Sequence, residues 1–181
     1  MTRTFYIADT HFGHSNIIKY SNRPFESAQE MDETIAANWN AKVTDEDTVY
    51  LLGDVAMGGF QLATIRLIQS LKGQKILISG NHDKVFLKEK TFRDSFTSIH
   101  DILSITDNHS RVVLCHFPLA EWEGYYRGAY HIFGHIHNAK NDAYYFMRGK
   151  ERALNAGVDI TNFQPMTLEQ LIKANEYWRN E

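Results

Sequence analysis

Short apolar runs alternate with four-residue apolar stripes along this chain. Thr4 to Ile7 (TFYI), Thr48 to Leu52 (TVYLL), Lys75 to Ile78 (KILI), Arg111 to Leu114 (RVVL) and Tyr130 to Phe133 (YHIF) are rich in β-formers and are closed by Gly or polar residues. Such runs read as buried strands. Ser27-x-x-Glu30 has the form of a capping box, and Met31, Ile35, Trp39 and Val43 recur at four-residue spacing behind it, which predicts an amphipathic helix packed on a sheet. Leu62, Ile65, Ile68 and Leu71 predict a second helix stopping near Gly73. Thr167-x-x-Gln170 with Leu168, Leu171 and Ile172 predicts a third, just after Pro165. The stretch from Asp83 to Arg111 is less periodic. It predicts a short helix near Val85 to Lys90, then a strand near Asp101 to Thr106 that turns through Asp107-Asn108-His109-Ser110 into the Arg111 run as a hairpin. No repeat or low-complexity linker interrupts this alternation, so residues 1–181 are expected to form one α/β domain.

The polar residues that close the strands form a pattern of their own. Asp9-Thr10-His11, Gly53-Asp54, Gly80-Asn81-His82-Asp83, Cys115-His116 and Gly134-His135-Ile136-His137 each follow one of the five runs. In α/β sheets the carboxyl edge of the strands is where sites assemble, so residues remote in sequence are expected to meet there. Asp9 and His11 are two apart, as are His135 and His137, and on extended backbone each pair points to one side. Aspartate and histidine without thiolate suit Mn²⁺, Fe, Zn²⁺, Co²⁺ or Mg²⁺. Asp9, His11, Asp54, Asn81, His116, His135 and His137 make seven ligands, more than one ion needs and suited to two divalent ions sharing the Asp54 carboxylate. A lone Asp-x-His means little; the ordered set of five motifs carries the reading.

Composition narrows the class. With 43% hydrophobic and 13% aromatic residues, 181 residues can bury a substantial core. The single cysteine, Cys115, excludes an internal disulfide and fits a reducing compartment. The four-residue apolar run before Asp9 is too short for a signal-peptide core and no segment approaches a membrane span, so a soluble, cytoplasmic protein is expected. The formal charge of −3 argues against a broad nucleic-acid-binding face. Two bound cations would still make the site itself attractive to phosphate.

The ordered string Asp-x-His, Gly-Asp, Gly-Asn-His-Asp, His, Gly-His-x-His, running from Asp9 to His137, resembles the calcineurin-like metallophosphoesterases. Within that family Asp9-Thr10-His11-Phe12-Gly13-His14, Asn22-Arg23-Pro24-Phe25 and Asn155-Ala156-Gly157-Val158-Asp159 look like the small bacterial and phage phosphoesterases. The segment after Gly53-Asp54 lacks a second acidic residue that some members carry. The resemblance implies a fold of two mixed β-sheets flanked by helices, a four-layer sandwich. It also implies that Asp9, His11 and His137 hold one metal, that Asn81, His116 and His135 hold the other, and that Asp54 bridges them.

Two such ions, about 3.5 to 4 Å apart, activate a bridging water as hydroxide and stabilise the oxygens of an in-line displacement at phosphorus. His82, adjacent to Asn81 and not needed as a ligand, is the expected proton donor to the leaving group, with Asp83 orienting its ring. His14 and Arg23 are candidates for phosphate contact; the alternatives are, for His14, buttressing a ligand or capping a helix and, for Arg23, an ordinary surface arginine. The segment Glu121 to Gly128 is aromatic, so Trp122, Tyr125 or Tyr126 stacking a base while Arg127 meets phosphate is weighed against simple packing. Cys115, His100, His109 and His131 are expected to have packing or surface roles, and Asn155 and Asp159 structural or supporting ones. The function expected is a phosphodiesterase on a small or nucleotide-like substrate. A phosphomonoesterase, a nuclease, and a non-catalytic protein-binding scaffold on the same fold are the alternatives.

Overall fold

The computed structural model describes residues 2–58 and 61–180. In chain order the elements are β1 (Thr4–Ile7), α1 (Ser15–Tyr20), α2 (Ala28–Lys42), β2 (Thr48–Leu51), α3 (Leu62–Ser70), β3 (Gln74–Ile78), α4 (Asp83–Phe86), α5 (Lys90–Arg93), β4 (Ser98–His100), β5 (Ile102–Asp107), β6 (Ser110–Cys115), β7 (Tyr130–Phe133), α6 (Asp142–Met147), β8 (Ala153–Asn155) and α7 (Leu168–Asn180). The six strands expected from the sequence are present within one or two residues at their ends, as are the three longer helices, of which α7 continues to Asn180, past the Ile172 read from the sequence.

The strands form two four-stranded sheets, ordered β1-β2-β3-β4 and β5-β6-β7-β8. The first is parallel throughout its named strands and gains an antiparallel neighbour only at the Tyr6–Met166 bridge. The second is mixed, with β5–β6 antiparallel and the rest parallel. Side chains alternate between faces as the two-residue period requires. Phe5 and Ile7 enter a core with Met31, Ile35 and Trp39 of α2, whereas Tyr6 meets Leu114, Ile132 and Leu171 between the sheets. On the far face of the second sheet Val113 and Phe133 pack with Tyr144 and Trp178.

Local signals work as read at both ends of the chain. The Ser27 hydroxyl accepts the Glu30 amide at 3.1 Å to start α2. Thr167 and Gln170 bond reciprocally before α7. Asn108 and His109, both at positive φ, turn β5 into β6, as a two-residue hairpin demands. The single helix expected near Val85 to Lys90 is instead two short ones, α4 and α5. Phe86 and Phe92 meet in the core with ring centroids 5.4 Å apart and planes tilted at 40°, and residues six apart on one continuous helix would face different ways.

The two sheets are sewn together beyond the ends of β1 and β8. The Ala8 amide donates to the Ala156 carbonyl at 2.8 Å, and the Val158 amide to the Ala8 carbonyl at 3.0 Å. This seam brings the carboxyl ends of β1, β2 and β3 to those of β6, β7 and β8, so the loops carrying the expected ligands share one edge.

Candidate metal centre

Asp9, His11 and His137 offer ligand atoms all within 4.8 Å of one another, and Asp54, His116 and His135 do the same. The Asn81 Oδ1 atom lies 3.1 Å from His116 Nε2, in the second group. Asp54 stands between the groups: its Oδ2 is 3.8 Å from His11 Nε2 and 3.5 Å from His116 Nε2. All seven expected ligands therefore converge.

The route to convergence differs from the extended pairs expected. Asp9, His11, Asp54, His135 and His137 all have φ between 51° and 72°, a left-handed conformation that costs non-glycine residues energy and collects at functional sites. Each chain turns sharply as it leaves its strand, and backbone bonds hold the turns. The amides of His135 and His11 donate to the Asp9 carboxylate (2.9 Å) and the Asp54 carbonyl (3.0 Å). Close approach then demands glycine. A Cβ on Gly134 would lie 2.6 Å from Asp9 Oδ2, and one on Gly53 would lie 2.7 Å from the Gly80 backbone.

Polar partners fix which ring nitrogen each histidine presents. His116 Nδ1 is 2.7 Å from the Leu52 carbonyl, which assigns the proton there and leaves Nε2 facing Asp54. His137 Nδ1 is 2.8 Å from Asp159, leaving its Nε2 likewise. His11 is 2% exposed, yet neither of its ring nitrogens has a partner within the protein. Buried polar atoms are ordinarily paired, so an orphaned imidazole facing a carboxylate fits a metal ligand.

The field is consistent with that fit. Burial pushes the Asp9 carboxyl up to about 6 and brings His11 down to about 2. Burial also opposes charge on Asp54 and His116, but their mutual attraction prevails and holds them at about 2 and about 9. The pull of Asp54 and Asp9 on a proton is the pull that would hold a divalent cation.

The other expected site residues divide. His82 is 39% exposed in its side chain, with Nε2 3.9 Å from Asp54 Oδ2, and lines a cleft of about 400 Å³ over the clusters together with His14. The His14 ring is 5.4 Å from that of His11, with Nδ1 buried and unpartnered. Its side chain caps nothing at α1. Asp83 does not orient His82 as expected: its carboxylate accepts the amides of Asp54, Val55 and Gly80 at 2.8–2.9 Å, so it fixes the loops holding Asp54 and Asn81. Nor is Arg23 placed for phosphate. Its side chain is fully buried, bonded to Asp159 at 2.8 Å and to the carbonyls of Asp9 and Thr10. An Arg23–Asp159–His137 chain thus orients a ligand from behind, as supporting carboxylates do at metal sites.

Arg127 and its neighbours are a further correction. They fold into a short 3-10 turn, Tyr125–Arg127, directly before the amino end of β7. The ligands leave the other end of that strand, a strand's length away. Trp122 is 7% exposed and donates to the Ala129 carbonyl, so it packs. Tyr126 bonds Glu121. The expected packing roles of Cys115 and His131 hold: both are buried, and both His131 nitrogens are bonded.

Five contributors had no sequence signal. Asp32 lies on the polar side of α2 and accepts the Gly13 amide with both oxygens, at 2.9 and 3.2 Å, steadying the loop after His11. Tyr20, Met57, Asn138 and Asn141 line the cleft without belonging to any of the five motifs, Met57 and Asn138 from the loops that follow two of them.

Residues 2–139 match the family model for the calcineurin-like phosphoesterases. The chain belongs to that family. The chain is 36% identical over 177 residues to an uncharacterized protein, MJ1445, of Methanocaldococcus jannaschii, covering 97% of this chain and 93% of that one. It is 35% identical over 85 residues to the Gene 66 protein of Mycobacterium phage L5, covering 46% of this chain and 41% of the phage protein. The crystal structure of AQ665, a protein of unknown function from Aquifex aeolicus, superposes with a TM-score of 0.76 at 26% identity, covering 96% of this chain and 99% of that one. Among the described residues, no helix is long and apolar enough to cross a membrane.

Proposed function

We propose that the protein is a phosphodiesterase that uses two divalent cations, Mn²⁺ by preference, to hydrolyse a small or nucleotide-like ester. Asp9, His11 and His137 would hold one ion, Asn81, His116 and His135 the other, and Asp54 both. The observation that carries this reading is the position of Asp54 Oδ2 between histidine nitrogens of the two groups, at 3.8 and 3.5 Å. When bound, such a pair supplies Lewis acidity at phosphorus and activates water for in-line attack.

The chain's own residues supply the rest. His82 reaches into the cleft beside Asp54 with its ring free to move a proton, and its backbone amide donates to Asp54 Oδ1 at 2.9 Å. Its role in this reading is to protonate the departing oxygen. Asp83 and Asp159 keep Asp54 and His137 aimed, so the geometry is prepared before substrate arrives. Diester is favoured over monoester because no lysine or arginine is among the residues lining the cleft, and a monoester's second negative charge would find no fixed partner.

The test is hydrolysis of bis(4-nitrophenyl) phosphate beside 4-nitrophenyl phosphate by Mn²⁺-loaded protein. Chelator-sensitive turnover with the diester preferred is expected. Equal or better monoester turnover would remove the diesterase assignment, and turnover indifferent to metal would remove the mechanism.

A further inference from the structure

The cleft over the metal-ligand clusters joins expected ligands to uncharged residues. His11, His135 and His137 line it together with Ile17 and Tyr20 of α1 and Ile136 of the loop after β7. Ile17 and Ile136 are each 4% exposed, rigid parts of the core that show an edge to the cleft. Tyr20 is the opposite: 75% exposed, with its ring 6.3 Å from that of His14. An aromatic face left open beside buried aliphatic groups suits a flat, uncharged partner. The cleft volume of about 400 Å³ lies in the range for one small ligand.

Charge narrows the class further. No lysine or arginine lines this cleft, and the residues outside the described set, Met1, Gly59, Phe60 and Glu181, include neither. Lys140, the next residue after the cleft's Ala139, has its Nζ 6.0 Å from the Tyr144 ring centroid on α6. Arg23 is closed off behind Asp159. A second phosphate would lose its hydration against Ile17 and Ile136 with no fixed cation in exchange.

Resting on the phosphoesterase reading above, we infer that the substrate carries one phosphate, seated at the metal-ligand clusters, and a flat uncharged substituent of aryl or nucleoside size held by Tyr20, Ile17 and Ile136. A further phosphate, whether of a diphosphate or of a polynucleotide strand, gains nothing from this cleft.

Calorimetric binding to Mn²⁺-loaded protein tests this with ligands that cannot be hydrolysed, apart from any activity. Phenylphosphonate should bind about tenfold more tightly than methylphosphonate, the gain expected of one aromatic contact. Tyr20→Ala should bring the two within about twofold, and Tyr20→Phe should restore the preference. Thymidine 5′-diphosphate should bind no more than about twofold better than the monophosphate, for want of a partner for its outer charge. Equal binding of the two phosphonates, a preference untouched by Tyr20→Ala, or a tenfold gain from the second phosphate would each overturn the inference. Hydrolysis of 4-nitrophenyl esters, measured in parallel, separates the failures. Turnover without an aryl preference removes this inference alone. No turnover with Mn²⁺, Fe²⁺, Zn²⁺, Co²⁺ or Mg²⁺ removes the phosphoesterase reading and this inference with it.

Discussion

His11 and His131 are both buried histidines, yet they sit in opposite circumstances. His131, near the amino end of β7, has Nδ1 bonded to the Val113 carbonyl and Nε2 to the Leu119 amide, each at 3.0 Å. His11, at the carboxyl edge, has neither nitrogen bonded. The neighbourhoods repeat the contrast. Around His131, Trp122, Tyr126 and Arg111 all find partners within the chain. Around His11, five expected ligands are bent into left-handed backbone and aim at one another. Residue type does not distinguish the two regions, since both are rich in histidine, aromatic and charged groups. What differs is how much hydrogen-bonding capacity the fold leaves open, and capacity left open where the backbone is strained marks the site.

The most damaging change should be at Asp54, which stands between the two ligand groups. Groups that merely support a metal ligand cost about 10- to 100-fold when removed, and a carboxylate shared by two ions should cost more. Asp54→Asn is expected to lose metal from both positions and more than about 10²-fold in kcat/KM. Elemental analysis beside a diester assay checks this. A folded variant that retains two tightly held metals and its activity would break the bridge.

His82→Ala should separate chemistry from metal binding. Metal content should stay near that of the parent while kcat falls about 10²- to 10⁴-fold, the range for loss of a general acid. The loss should shrink as the leaving group becomes more acidic and needs no proton. An identical loss across a leaving-group series would place His82 on phosphate instead, and loss of metal would count against both roles.

Behind the ligands, Arg23 tests whether support matters as the buried ion pair suggests. Removing one partner of such a pair costs about 3–5 kcal/mol because the other charge is left uncompensated. Arg23→Leu should lower the melting temperature markedly and weaken metal affinity by about 10- to 100-fold through Asp159 and His137. The Arg111–Glu123 pair, about half exposed on each side, supplies the control: breaking it with Arg111→Ala should cost under about 1 kcal/mol. Equal effects from the two variants would erase the distinction between the regions.

The sequence made the edge legible because its ligands are punctuated. A strand's apolar run ending in Gly-Asp or Gly-His, as at Asp54 and His135, declares both the strand and the turn, and five runs closed by potential ligands locate a common edge. How the pairs converge was not legible, since Asp-x-His reads the same on extended or left-handed backbone. Arg23 and Asp83 misled for a related reason: a polar residue near a motif is as readily its buttress as its reactant, and only packing decides. The Trp122 to Arg127 segment misled through topology. It follows the ligand His116 closely in sequence, but β6 and β7 are parallel, so the connection crosses back to the amino edge before β7 begins. Such a return is invisible without strand direction.

His131 gives a smaller test, in stability. Burial holds its pKa down to about 4, below the value near 6.5 of an unfolded histidine. The unfolded chain therefore takes up the proton first, so this group's contribution is complete above about pH 6.5 and is lost as pH falls toward 4. In metal-free protein His11, depressed likewise by burial, adds a loss of the same sign. His131→Gln, read by urea unfolding of metal-free protein at several pH values, should flatten part of the slope between pH 4 and 6.5. An unchanged slope would show that His131 is not the satisfied neutral group its bonds describe.

The smallest effect is expected at Arg127, and it bears most directly on the comparison. Arg127 is exposed on the 3-10 turn before β7 and is absent from the residues lining the metal cleft. Exposed substitutions away from special features usually change stability by less than about 0.5 kcal/mol. Arg127→Ala and Tyr126→Ala should therefore leave melting temperature, metal content and kcat/KM for both chromogenic and nucleotide diesters within about twofold of the parent. A selective rise in KM for nucleotide diesters in either variant would mean that substrate extends from the carboxyl edge around to the amino edge. The division between an open edge and a satisfied one would then fail as a guide to function.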